Sequence, residues 1–303
     1  MLKKYFGLAL AVCLFLSTWG MAQSQATPSS SLGEQLGQEM AELHQGDRPI
    51  PTPLVAQAPR MPVQSEMVTY GTLEEKPLMG YLVAPADPSE ALPAIVVIHE
   101  WWGLNDNIKM MSDRLAGEGY RVLAVDLYGG ETADNPEEAL QLVTKANNHP
   151  EQLFDNLALA YEYLKTEHNA PKVASLGWCF GGRWSLNMGL LLPDQLDAVV
   201  IYYGGGMVTD PEQLKTLEMP ILGIFGELDQ NPSVETVREF EATLQALGKT
   251  AEIHVYKGAD HAFANPSGTR YNAKAAADAW EKTIAFLNRY LRGQESSTSN
   301  SEA

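Results

Sequence analysis

KVASLGWCFGGRWSLNMGLLL, residues 172–192, is the stretch that decides the fold. Its first part, 172–176, is a short apolar run typical of a strand buried on both faces, and 180–192 has the length and composition of a helix. Gly177-Trp178-Cys179-Phe180-Gly181-Gly182 lies between them, and its glycines permit a tight turn. The stretch therefore predicts a strand–turn–helix unit with Cys179 at the turn.

The same alternation of strand and helix patterns continues outward from this unit in both directions. Before it, the sequence predicts strands over 67–71, 78–84, 94–98 and 122–126, and helices over 107–117, 136–147 and 152–167. After it, we predict strands over 198–203, 221–225 and 252–256, and helices over 211–217, 234–247 and 271–290. Such alternation is typical of an open parallel sheet covered by helices on both faces. We therefore predict one α/β domain over 66–292, with a mostly parallel, twisted sheet of about eight strands.

The first 22 residues have the organisation of a signal peptide. Lys3 and Lys4 precede an apolar run over 5–19, and Gly20-Met21-Ala22 offers small residues for cleavage before Gln23. A transmembrane anchor is the alternative, but a bilayer core needs about 20 apolar residues, more than this run supplies. The sequence thus predicts an exported protein, periplasmic or secreted, without stable membrane insertion after cleavage.

Two segments outside the predicted domain have polar compositions. Residues 23–65 are rich in Pro, Gln and Ser, with a short helix predicted over 32–44, and we interpret them as a linker or mobile arm. His44 belongs to this arm, so no role is predicted for it. The tail over 293–303 is polar and is predicted to be disordered. The formal net charge of -17 disfavours nucleic acid as a partner.

The chain contains two cysteines, Cys13 and Cys179, and the first lies in the predicted signal peptide. The mature protein would then hold one thiol and no internal disulfide. A lone thiol in an oxidising compartment is a liability unless it is buried or used. The surroundings of Cys179 therefore bear directly on function.

Cys179 has the setting of a nucleophile. Gly177-x-Cys179-x-Gly181 is a G-x-C-x-G turn between strand and helix, a nucleophile elbow with sulfur in place of the serine oxygen. The positive end of the helix favours a thiolate, and the N–H of Phe180 would face an oxyanion. The alternative is a buried structural cysteine in a glycine-rich turn.

A base and an acid follow in the order expected for such an elbow. His261 comes after the strand over 252–256, and Asp229 comes after the strand over 221–225. Nucleophile, acid and histidine thus occur in the chain order of the α/β-hydrolase triad, each beyond a strand end. Glu227 and Asp260 compete with Asp229 for the acid role, and Asp229 is favoured because its loop can reach the histidine.

Four segments together resemble the dienelactone hydrolase family: VVIHEWWGL (96–104), VDLY (125–128), GWCFGG (177–182) and GADHAF (258–263). The resemblance covers about 67–291 and implies an α/β-hydrolase fold without a metal or organic cofactor. It also implies a triad of Cys179, His261 and Asp229. The family further implies a thiol-activating glutamate at Glu100 and a second oxyanion N–H at Trp101.

The sequence departs from the family where the family binds a carboxylate. The two arginines that hold the carboxylate of dienelactone would stand at Gly129 or Gly130 and at Asn265. Arg183, near the elbow, is a candidate to replace them, and the favoured alternative is that it is an ordinary surface or helix residue. Aromatic residues are expected either to line a pocket for a less charged ester or lactone or to pack the core: Trp101, Trp102, Tyr128, Trp178, Trp184 and Tyr203.

The predicted function is hydrolysis of a small-molecule ester or lactone through an acyl-cysteine. A thioesterase, acyltransferase or peptidase on the same fold is the enzymatic alternative, and a non-catalytic binding domain is the other. His99, Glu100 and His261 are candidates for a metal site, but their spacing is not typical of metal ligands.

Overall fold

The architecture is an eight-stranded sheet in the order β1-β2-β4-β3-β5-β6-β7-β8. It is seen in a computed structural model that describes residues 38, 41–42, 44–49, 58–88 and 90–294. The strands are β1 (Val63–Leu73), β2 (Lys76–Pro85), β3 (Ala94–Ile98), β4 (Arg121–Val125), β5 (Val173–Trp178), β6 (Ala198–Tyr202), β7 (Ile221–Gly226) and β8 (Ala251–Tyr256).

Helices cover the sheet on both faces, as predicted. They are α1 (Asp106–Gly117), α2 (Pro136–Asn147), α3 (Pro150–Thr166), α4 (Phe180–Leu191), α5 (Pro211–Leu214), α6 (Val234–Ala246) and α7 (Ala273–Arg292). Polar caps begin several of them: the side chains of Asn105, Asn135 and Ser233 each accept a backbone N–H of the following turn. The predicted helix over 211–217 is shorter than expected, because the chain after Leu214 continues in tighter turns, in which the N–H of Thr216 donates to the carbonyl of Gln213 and that of Leu217 to Leu214.

Only the first strands run antiparallel. β1 pairs with β2 in a hairpin closed by Glu74 and Glu75, both at positive φ, and β2 pairs antiparallel with β4. β1 begins at Val63, ahead of the predicted domain start at residue 66. Its first residues were missed because most of this edge strand is exposed and polar, so its apolar periodicity is weak.

From β3 to β8 every strand pair is parallel, so the carboxyl ends of these strands meet at one edge of the sheet. β3, β5, β6 and β7 are buried along their whole length, which explains their unbroken apolar sequences. Loops at that edge are therefore fixed to a rigid core, and this is where ligands bind in such sheets.

Parts of the sequence predictions lie outside the described residues. The predicted signal peptide, most of the helix over 32–44 and the tail from residue 295 belong to them. Within the described part, no helix combines the length and apolar character that crossing a bilayer requires.

Candidate active site

Cys179 occupies the strained turn between β5 and α4. Its backbone has φ 57° and ψ −117°, a conformation that residues with side chains rarely adopt. A Cβ on Gly177 would overlap the backbone of Gly181, and a Cβ on Gly181 would overlap the carbonyl of Ile98. The glycines are therefore required by close backbone approach, as the G-x-C-x-G pattern predicts.

Cys179 lies at the carboxyl edge of the sheet, and the backbone on both sides of it is fixed. The Cys179 N–H donates to the carbonyl of Tyr202 at 3.0 Å. Phe180 begins α4, so its N–H belongs to the first turn, where helix N–H groups lack intrahelical acceptors. Cys179 is only 4% exposed, yet it lines the cleft at this edge together with His261.

His261 and Asp229 form a buried dyad beside the thiol. Nδ1 of His261 lies 2.8 Å from Oδ2 of Asp229, and Oδ1 of Asp229 accepts the backbone N–H of Asn231 at 2.9 Å. The two rival acids have other partners. Asp260 accepts the backbone N–H of His261, and Glu227 accepts the backbone N–H of Gly258. The structure thus brings Asp229, rather than Glu227 or Asp260, to the imidazole.

The imidazole of His261 is set up to carry a positive charge. Burial alone lowers its pKa, but the charge of Asp229, the charge of Cys179 and the hydrogen bond to Asp229 outweigh burial and raise the pKa well above its usual value. Nε2 is buried without a hydrogen-bond partner of ordinary geometry among the described residues. Nε2 therefore stays available to reacting groups.

Glu100 follows β3 and is buried under the same cleft. Its Oε2 accepts a hydrogen bond from Nδ2 of Asn265 at 2.7 Å. Burial raises the pKa of Glu100 to about 7, although the charge of His261 and the bond from Asn265 act in the opposite direction. Asn265, which stands where the family resemblance implies an arginine, thus holds the glutamate in place.

Glu100→Gln should change how stability depends on pH. The pKa of Glu100 is about 7 in the folded protein and 4.5 for an unburied side chain. Between these two values the folded state retains a proton that the unfolded state loses. Protonated Glu100 therefore adds about 3 kcal/mol to the free energy of unfolding below pH 4.5, and this stabilisation is lost as the pH rises through 7. The amide of the variant keeps an oxygen for Asn265 but cannot titrate.

We expect the wild-type free energy of unfolding, measured in urea at pH 5 and pH 8, to fall more steeply than that of Glu100→Gln. Parallel pH dependence in the two proteins would contradict a protonated Glu100 in the fold.

His99 is a structural residue rather than a ligand or a base. Its Nδ1 donates to the carbonyl of Glu100 at 2.6 Å, and its Nε2 accepts the N–H of Leu127 at 3.2 Å. Both ring nitrogens are used, so the neutral ring joins the loops after β3 and β4. Within the part of the chain that the structure describes, no group of three or more His, Cys, Asp or Glu side chains is arranged to hold a metal ion.

The predicted aromatic residues divide between cleft and core. Trp101 and Trp102 line the cleft, with ring centroids 4.8 Å apart. Tyr128 packs edge-on against His99 at 4.6 Å, and its buried hydroxyl has no hydrogen-bond partner among the described residues. Trp184 and Tyr203 are both fully buried, and the ring of Tyr203 also lies 5.1 Å from that of His261. Burial raises the pKa of Tyr128 well above its usual value, so it is a neutral phenol.

The structure also places His44 in this site, a residue that sequence reasoning had no ground to include. Its ring lies 4.4 Å from that of His261 and 5.2 Å from that of Trp101, and it is 3% exposed. The interpretation of 23–65 as a linker or mobile arm does not describe His44 and Asp47, which are buried against the domain. The only local signal is Asp47 three residues after His44, which is too common a spacing to indicate a site.

Two cavities of about 20 Å³ each adjoin His44, each with room for about one water molecule. Cys179, His261 and His44 line both. Trp101 and Trp102 complete the first cavity, and Arg183 contributes to the second. Arg183 lies in the first turn of α4, half-buried, and has no ion pair with any described residue.

The chain matches the model of the dienelactone hydrolase family over residues 78–291. Among curated proteins it is similar to "Protein usf" of Aquifex pyrophilus, with 35% identity over 221 residues, 70% of this chain and 93% of that protein. It is also similar to a "Putative carboxymethylenebutenolidase" of Aquifex aeolicus, with 33% identity over 220 residues, 70% of this chain and 94% of that protein.

A solved structure supports the same relationship. A "Putative Dienelactone Hydrolase" from Klebsiella pneumoniae superposes with a TM-score of 0.68 at 27% identity, covering 76% of this chain and 100% of that one. The family match spans the loops that carry Cys179, Asp229 and His261, whereas His44 lies outside it.

Proposed function

Because this chain belongs to the dienelactone hydrolase family, we propose that it hydrolyses an ester or lactone through an acyl-cysteine formed on Cys179. The observation that carries this proposal is the constellation of Cys179 at a strained turn, His261 beside it and Asp229 bonded to His261. Nucleophile, base and orienting acid are the groups that acyl transfer needs, and they stand at the ligand-binding edge of the sheet.

In the first half of the reaction, the Cys179 sulfur attacks the carbonyl carbon. The N–H groups of Phe180 and Trp101 are the proposed oxyanion donors, each worth roughly 3 kcal/mol in comparable enzymes. The charged His261, held by Asp229, then protonates the leaving alkoxide. In the second half, neutral His261 accepts a proton from water, which attacks the thioester and releases the acid. Glu100, buried below the cleft, would exchange or stabilise the thiol proton.

The charge of Arg183 bears on the substrate. It is half-buried, lines the same cavity as Cys179 and has no acidic partner among the described residues. A guanidinium held there without a counter-charge favours an anionic group on the acyl part of the substrate. It can bind a carboxylate through two parallel hydrogen bonds. We therefore propose that a carboxylate on the acyl chain binds at Arg183, although both arginine positions of the family are changed.

Intact-protein mass spectrometry after rapid quenching, followed by peptide mapping, tests the proposed intermediate. Mixing the protein with p-nitrophenyl acetate, or with an aryl hemisuccinate that carries a carboxylate, should add one acyl group to the peptide containing Cys179. The hemisuccinate should react faster if Arg183 binds the carboxylate. Thiol or alcohol acceptors that compete with water would indicate an acyltransferase, and an adduct elsewhere on the chain would contradict the proposal.

We also propose that the protein is exported, to the periplasm or beyond it. The proposal rests on residues 1–22, with their basic start, apolar run and Gly20-Met21-Ala22. Cleavage before Gln23, detected by N-terminal sequencing of the exported protein, is the expected outcome.

A further inference from the structure

A second histidine–aspartate dyad reaches the cleft from the segment before the domain. Nδ1 of His44 lies 2.8 Å from Oδ2 of Asp47. Oδ1 of Asp47 accepts a hydrogen bond from Oγ1 of Thr269 at 2.8 Å, and Arg270 Nε lies 3.6 Å from the same oxygen. Thr269 and Arg270 belong to the loop that follows His261. The domain thus holds this dyad in place through the loop that also carries the triad histidine.

The surroundings shift the pKa values of the two histidines in opposite directions. Burial, together with the charge of His261, lowers the pKa of His44 to about 4, so His44 is neutral where His261 is charged. Burial alone would raise the pKa of Asp47, but the hydrogen bonds from His44 and Thr269 hold it below its usual value. Adjacent titratable groups with opposite shifts are typical of divided roles in an active site.

The carboxylate of Asp47 also decides which nitrogen of His44 carries the proton. A carboxylate only accepts hydrogen bonds, so Nδ1 is the protonated nitrogen and Nε2 holds the lone pair. Because Nδ1 is engaged by Asp47, Nε2 is the ring nitrogen left to accept a hydrogen bond. His44 lines both cavities beside Cys179 and His261, and each cavity has room for about one water.

We propose that His44, oriented by Asp47, is a positioning residue for the water that hydrolyses the acyl-cysteine. This inference rests on the proposed function. One hydrogen of the water donates to Nε2 of His44, and the other proton passes to Nε2 of His261 as the oxygen attacks the thioester carbon. The carbon–sulfur bond then breaks, the sulfur leaves as a thiolate and His261 keeps the proton. The sum is thioester, water and neutral imidazole giving carboxylic acid, thiolate and imidazolium, the pair with which the reaction began.

A side chain that only fills space over Cys179 would not need to be a histidine paired with an aspartate. An apolar side chain fills space without cost, whereas His44 and Asp47 are both buried ionisable groups that need partners to be tolerated there. Thr269 and Arg270 hold Asp47 in place, and Asp47 fixes the tautomer and the ring orientation of His44. The dyad is therefore better explained by a hydrogen bond that His44 makes in the cleft.

Pre-steady-state kinetics with p-nitrophenyl acetate separates the two halves of the reaction. The burst of p-nitrophenol reports acylation, and the steady-state rate reports deacylation. In His44→Phe, which keeps a ring but no acceptor, we expect an undiminished burst of one equivalent and a steady-state rate at least about tenfold lower, as for the loss of one hydrogen bond in the rate-limiting step. The acyl-protein should accumulate in the mass spectrum.

Asp47→Asn is the matched variant that leaves the packing unchanged. Its amide can donate to Nδ1, which would move the proton of His44 to Nε2 and remove the acceptor. We expect the same selective loss of deacylation, with hydroxylamine, a stronger nucleophile than water, restoring turnover in both variants. Thr269→Ser keeps the hydroxyl that bonds Asp47 and should retain the wild-type ratio of burst to steady state.

Other outcomes overturn the inference in distinguishable ways. Faster acylation in His44→Phe would show that His44 only obstructs the cleft. Equal losses in both phases would show a purely structural role. An unchanged steady-state rate would show that His44 does not assist the water. If the wild-type protein gave neither a burst nor an acyl adduct on Cys179, the proposed function itself would fail, independently of His44.

Discussion

Cys179→Ala is expected to lower kcat/KM for activated esters by at least about 10⁴-fold, because the proposed acyl intermediate forms on the sulfur that is removed. The alanine keeps Cβ and therefore the strained backbone at φ 57°, so the turn should persist. Only the sulfur is lost. The residual rate would come from the oxyanion donors and from binding. Initial rates with p-nitrophenyl acetate, corrected for spontaneous hydrolysis, provide the measurement.

Ser185→Ala provides a control in the same helix. Ser185 is fully buried in α4, bonds Ser175 at 2.8 Å and lines neither cavity beside Cys179. It loses an oxygen where Cys179→Ala loses a sulfur, and the broken hydrogen bond should cost about 1 kcal/mol of stability. We expect its activity to stay within a few-fold of wild type. Cys179→Ala with similar residual activity and an intact fold would refute the sulfur as nucleophile.

The fold was predictable because each strand and helix is marked by a pattern in its own stretch of sequence. Strands β3 and β5 are fully buried and contain no polar residue except Ser175, so their sequences show continuous apolar runs. α2 begins at Pro136 after the Asn135 cap and ends at Asn147, as its composition predicts. β1 was the exception. An exposed edge strand does not need an apolar residue at every second position, so its apolar alternation is weak.

The grouping of the three candidate triad residues at one edge was predictable for a different reason. In a parallel sheet, strand order brings the loops after β5, β7 and β8 to one edge, so residues distant in sequence meet without any local signal of contact. Chain order and strand ends were sufficient to favour Cys179, Asp229 and His261. Excluding Asp260 as the partner of Nδ1 needed the structure, because Asp229 and Asp260 both lie in loops next to the histidine.

His44 could not be predicted on the same grounds. It precedes the first strand, and the contacts that place it involve Trp101, His261 and the loop at Thr269, all far along the chain. A segment rich in Pro, Gln and Ser gives no periodicity from which docking could be inferred. The partnership of Asn265 with Glu100 was missed similarly, because it joins residues 165 positions apart.

Asp229 lies in an arrangement that makes its isosteric replacement unusually informative. Its Oδ1 accepts the backbone N–H of Asn231, and its Oδ2 faces Nδ1 of His261. In Asp229→Asn, the N–H of Asn231 needs an acceptor, so the amide oxygen takes the place of Oδ1. The amide NH2 then takes the place of Oδ2 and faces His261. Nδ1 must then be the unprotonated nitrogen, and Nε2 carries a hydrogen instead of the lone pair that the reaction needs.

Asp229→Asn should therefore lower kcat for ester hydrolysis by about 10⁴-fold at pH 7 with little change in shape, the size of effect known for the wrong tautomer in a triad. Glu227→Gln and Asp260→Asn are the matched controls, since each changes one carboxylate near the histidine that hydrogen-bonds a backbone N–H rather than the imidazole. Both should stay within a few-fold of wild type. An equal loss in Asp260→Asn, or near-normal activity in Asp229→Asn, would show that the imidazole takes its orientation from another acid.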